Sequence, residues 1–77
     1  MKKVSLVHLK ANHKGRVSEI LGGAGLQHRL MSMGIYAGKE IVKLSYVGLR
    51  GPVVIKVGRS VLALGHGVAL KIMVETQ

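Results

Sequence analysis

A chain of 77 residues carrying 12 lysines and arginines against three glutamates, a net charge of +9, has apolar material for one small core; a second domain would lack the buried area to stand. Cysteine is absent, which excludes a disulfide framework, a thiolate zinc site and a cysteine nucleophile together. Hydrophobic residues reach 48% but the aromatics are Tyr36 and Tyr46 alone, so the chain reads as globular with a core of branched aliphatic side chains.

Met1-Lys2-Lys3 is basic, yet Val4 to Lys10 is too short and interrupted for the apolar region of a secretory signal. No apolar run approaches the roughly twenty residues of a membrane span, and a cytoplasmic location is expected. Leu6 to Leu9 forms an alternating piece that breaks into Lys10-Ala11-Asn12-His13-Lys14-Gly15, a turn by composition. Val17-Ser18-Glu19-Ile20-Leu21 reads as a short strand, with Val17 and Leu21 facing one way and Ser18 and Ile20 the other. Gly22-Gly23-Ala24-Gly25 lacks the glycine spacing and the Lys-Ser/Thr pair of a phosphate loop, and is read as a connector.

One segment reads as a helix, beginning at Leu26. Leu26, Leu30 and Met33 recur at i, i+4 and i+7 and make one apolar stripe, while Gln27, His28, Arg29 and Ser32 fall mainly elsewhere. Gly34 suits the left-handed position just past the helix, where a Schellman cap would bring Ile35 back against Leu30. Gly38 follows, so Ile35-Tyr36-Ala37 forms a tight reversal between two structural glycines that feeds the next strand, Glu40 to Val47.

Gly48-Leu49-Arg50-Gly51 is the expected hairpin loop, and Pro52 opens a strand where its missing N–H is tolerated. Val53, Ile55 and Val57 share a face and Lys56 takes the other; Gly58-Arg59-Ser60 turns the chain into Val61-Leu62-Ala63-Leu64. Gly65 to Ala69 is a brief irregular or single-turn element, and Leu70 to Glu75 a last strand with Leu70, Ile72 and Val74 inward. The expectation is one mainly β domain over residues 1–77, a five-stranded antiparallel barrel with one short α-helix. Closure removes the edges that so apolar a flat sheet would expose. Met73 and Val54, placed on outward faces, would let such barrels self-associate as a homo-oligomer.

Enzyme readings fail for want of parts. The three glutamates lie in different segments, and none of the five serines has an evident His-acid pairing. For a metal, His28 or His66 with Glu40 would be the donor sets, and a divalent transition ion, Fe(II) or Zn(II), the class they would take. None of the four histidines has the close spacing that makes a metal site readable. A charge of +9 attracts polyanions, but small barrels that bind nucleic acid set aromatic platforms among their basic groups, and here the two tyrosines stand on different elements. Lysines 2, 3, 10, 14, 39, 43, 56 and 71 are dispersed along the chain. An interaction surface fits better: Arg29 with its bidentate fork, Met31, Tyr36, and Leu49 and Arg50 in the loop form the expected partner-binding face.

The order Gly15-Arg16-Val17, Gly22-Gly23, Arg29-Leu30-Met31-Ser32-Met33-Gly34-Ile35, Gly38, Pro52-Val53-Val54, Leu62-Ala63-Leu64 and Ala69 to Val74 resembles the FeoA family of ferrous-iron-transport proteins over nearly the whole chain. The most specific part is Arg29, Leu30, Gly34, Ile35 and Gly38; His28 and Ala37 stand where members often carry Arg and Pro. The resemblance implies an SH3-like barrel akin to the C-terminal domain of DtxR-type repressors. It also implies a non-catalytic cytoplasmic accessory of iron uptake, held at the inner face of the membrane by the GTPase-permease FeoB. The alternative is a basic small barrel that binds nucleic acid, including a repressor-type SH3-like domain.

Overall fold

The computed structural model describes residues 2–46 and 51–76, and of Tyr46 the backbone only. In chain order it runs β1 (Lys2–Ser5), a 3₁₀ turn (Leu6–His8), β2 (Lys14–Ile20), α1 (Ala24–Ser32) and β3 (Glu40–Tyr46), then β4 (Val53–Val57), β5 (Ser60–Leu64), α2 (His66–Leu70) and β6 (Ile72–Thr76). The strands form a single sheet in the order β1-β6-β2-β3-β4-β5, every neighbour antiparallel. The core takes Val17 from β2, Ile41 from β3, Val53, Ile55 and Val57 from β4, Leu64 from β5 and Ile72 and Val74 from β6. Leu6, Leu9, Leu30, Ile35 and Ala69 close it from the connecting segments.

The mainly β architecture is as expected, with six strands instead of five, a second short helix in α2, and a hydrogen-bonded ladder that leaves β1 and β5 at its two ends where closure was expected to remove the edges. The additional strand is β1, whose Lys-Lys-Val-Ser has no apolar alternation and becomes a strand by pairing with β6, Val4 opposite Val74. Leu6 to His8, read as an alternating piece, instead winds into the 3₁₀ turn, because the Ser5 side chain accepts a hydrogen bond from the Val7 N–H and caps it. The same hydroxyl donates to Ala69 O, tying that turn to α2.

Two face assignments change. The β2–β6 register shifts between Val17 and Glu19, and an extra residue at a bulge reverses every side chain beyond it. Ile20 therefore packs against the core, while Leu21 is 46% exposed instead of lying beside Val17. Leu70 ends α2 and is 42% exposed, not inward on the last strand, which begins at Ile72. Val54 and Met73 are half-buried, so neither is the open outward surface expected of it. In β4 the alternation holds: Val53, Ile55 and Val57 are buried and Lys56 is exposed.

Candidate partner-binding face

α1 begins two residues ahead of the expected start, with Gly23 as a cap that offers no side-chain hydrogen bond. Its position is set by packing: Leu30 is buried, and Leu26 and Met33 lie partly buried against the core. The far end is the specified one. Gly34 has φ +87°, the Ile35 N–H donates to Leu30 O at 2.9 Å and the Gly34 N–H to Met31 O at 2.9 Å, the paired bonds of a Schellman cap. Ile35 is fully buried, so the cap also plugs the core.

The reversal is stitched to the sheet. The Gly38 N–H donates to Val17 O at 2.7 Å, the Val17 N–H to Lys39 O at 2.9 Å and the Lys39 N–H to Tyr36 O at 3.0 Å. What this rigid joint displays is apolar surface: Met31 is 57% and Tyr36 42% exposed. Arg29 is also exposed, and its carbonyl accepts from Ser32 Oγ at 2.7 Å. At about 100° per residue, Arg29 and Met31 stand on opposite borders of the buried stripe, about 160° apart, with His28 on the crest between. Leu49 and Arg50 lie outside the described residues.

The expected donors His28, His66 and Glu40 stand on three different elements. His28 is on α1, His66 opens α2 half-buried, and Glu40 opens β3 exposed, its carboxylate 3.7 Å from Lys14 Nζ. Among the described residues no group of three or more His, Asp or Glu is placed to hold a metal ion. An open groove of about 670 Å³ over β6, β2 and β3 is lined by His13, Lys14, Arg16, Glu40 and Glu75. Arg16 stands opposite Glu40 on one side and Glu75 on the other, so a bare cation entering there would meet two permanent positive charges beside the carboxylates.

Sequence reading missed Lys43, which it counted among the dispersed lysines. Lys43 is 1% exposed, and its Nζ donates to Val7 O at 2.8 Å and to Leu6 O at 3.2 Å. The ammonium thus holds the 3₁₀ turn against β3, and burial pushes its pKa below the ordinary lysine value. A signal was present: two residues from buried Ile41, Lys43 shares its face in a period-two strand. No helix among the described residues is long and apolar enough to cross a membrane.

Comparison with known proteins places this geometry. The model of the FeoA domain matches residues 4–76. A relative from Methanocaldococcus jannaschii, provisionally named Fe(2+) transport protein A, is 39% identical over 70 residues, covering 91% of this chain and 83% of its own. The crystal structure of an iron uptake regulatory protein, FeoA, superposes with a TM-score of 0.86 at 36% identity, covering 97% of each chain. A manganese-dependent transcriptional repressor superposes at 0.87, with 97% of this chain on 42% of that one. At 18% identity that last likeness speaks to the SH3-like fold alone. The chain belongs to the FeoA family, whose role lies in Fe(2+) transport.

Proposed function

We propose that this protein is a non-catalytic cytoplasmic accessory of ferrous iron uptake that docks on the cytoplasmic side of the FeoB membrane GTPase-permease. The docking face is the Met31 flank of α1 with Tyr36 on the following turn, extended on sequence grounds by Leu49 and Arg50. The observation that carries this reading is the exposure of Met31 and Tyr36 beside a helix end and reversal held by six backbone hydrogen bonds. A preorganised apolar surface loses little side-chain and loop entropy on binding, and Met and Tyr are among the residues enriched in interface cores. Arg29, on the other border of α1, would meet a carboxylate at the rim.

The test is retention of FeoB from the membrane fraction of the same cell on immobilised protein. Wild type should retain it, and Met31→Ala with Tyr36→Ala should reduce retention about tenfold or more at unchanged thermal stability. Equal retention by the double variant sinks the proposed face. No retention by wild type, with tight RNA binding lost steeply as salt rises, would favour the nucleic-acid reading instead.

A further inference from the structure

The sheet has two ends, and they are defended differently. β1 carries Lys2 and Lys3, both exposed, within its four residues, the charged guard that discourages a further strand. β5 reads Ser60-Val61-Leu62-Ala63-Leu64, with no charge, no proline and no bulge against β4. Val61 is 61% exposed, the most open large hydrophobic side chain among the described residues, and Ala63 is exposed too.

The register says which backbone groups face outward. β4 and β5 join through two residues, Gly58 with φ +60° and Arg59, and Val57 pairs with Ser60. The pair that closes a two-residue hairpin is hydrogen-bonded, and the pattern alternates from there. Ile55–Leu62 and Val53–Leu64 are then bonded pairs, while Lys56–Val61 and Val54–Ala63 are not. The N–H and C=O of Val61 and Ala63 therefore point away from β4, and among the described residues no backbone hydrogen bond beyond the ladder reaches them. Two donors and two acceptors repeat every two residues, about 6.8 Å, the spacing that an extended peptide presents.

Charge selects the occupant. Lys56 is exposed directly opposite Val61, in the kind of pair where side chains lie closest. Arg59 stands exposed at the turn, and residues 53–64 contain no acid. A second copy would bring another +9 to this edge, whereas a carboxylate-bearing strand would be drawn to it. We propose that the free edge of β5 binds an extended acidic segment of a partner protein as a seventh strand. The segment pairs with the backbone of Val61 and Ala63 and lays its carboxylates on the face that carries Lys56. This edge lies on β5 and the Met31 flank on α1, so the variants that test one surface leave the residues of the other in place.

The probe is acetyl-Val-Glu-Val-Glu-Val-Glu-amide, titrated into the ¹⁵N-labelled full chain. The amides of Val61 and Ala63 should shift and exchange with solvent at least about tenfold more slowly. Ala63→Pro, which removes an outward donor and leaves the β4 ladder intact, should weaken binding about tenfold. Val61→Glu, which keeps the backbone, should weaken it through like charge. The same peptide N-methylated at its glutamates, the residues that would sit opposite Val61 and Ala63, should not bind. Shifts confined to other residues, equal binding of a lysine-for-glutamate peptide, or equal binding of the N-methylated one would overturn the proposal. So would protection of these amides that grows with protein concentration alone, which would make the occupant a second copy.

Discussion

Lys43 is buried and bonded to two main-chain carbonyls of the 3₁₀ turn. Leu6 O also accepts from the Leu9 N–H, so truncation would strip Val7 O of a donor more completely than Leu6 O. Lys43→Ala should therefore destabilise the fold by about 1–3 kcal/mol, the usual cost of orphaning a buried polar group, read as a drop in the urea midpoint. Lys43→Met fills the space and should lie at the low end of that range. The pH dependence has a definite sign. With the folded-state pKa below that of the unfolded chain, the unfolded state binds more protons between the two values, and stability rises with pH across that window. Wild type should gain stability as pH climbs toward 10.5 from below, and Lys43→Met should lose that component of the gain; parallel profiles would mean that burial does not perturb the ammonium.

α1 shows how one element divides its residues between fold and display. Leu30→Ala opens a cavity at the centre of the stripe and should cost about 2–5 kcal/mol, whereas Met31→Ala, one residue on, should leave the unfolding midpoint nearly unmoved. Gly34→Ala isolates backbone strain, because an added Cβ would meet Val57 Cγ1 at an ordinary 3.5 Å. The cost is then that of holding a non-glycine residue at φ +87°, about 1–2 kcal/mol, measured by thermal or urea unfolding. This helix, its cap and the β4–β5 hairpin were legible because their signals are local: a 3.6 period, a glycine past the end, alternation before a glycine turn, read one residue too long because Ser60 already belongs to β5. β1 was not, because Lys2-Lys3-Val4-Ser5 carries no period and owes its conformation to β6, some seventy residues away. The bulge at Ser18 left no local mark either, which is why Leu21 was assigned to the wrong face. Of the candidate site, Met31 and Tyr36 are exposed, while the 160° between Arg29 and Met31 follows from helix geometry and could have been drawn at once.

Over the whole molecule, charge is the term least balanced. Twelve lysines and arginines face three glutamates, and the ion pairs among the described residues, Lys3–Glu19 at 3.2 Å and Lys14–Glu40 at 3.7 Å, are both solvent-exposed, a class that contributes little. The fold measures 28 × 26 × 23 Å. The screening length is about 30 Å at 10 mM salt and about 8 Å at 150 mM. At the lower concentration every cation therefore feels every other across the molecule, and at the higher only its neighbours. Unfolding spreads the same charges apart, so repulsion penalises the native state more than the open chain. The melting temperature should rise by several degrees between 10 and 150 mM sodium chloride, since about 1 kcal/mol corresponds to about 4–8 °C in a domain of this size. Chloride is the right anion, because sulfate would stabilise by exclusion from the surface whatever the charge. A melting temperature that stays flat or falls would mean that the two ion pairs outweigh the repulsion of nine uncompensated charges, and the basic surface would then be locally organised and not a diffuse field.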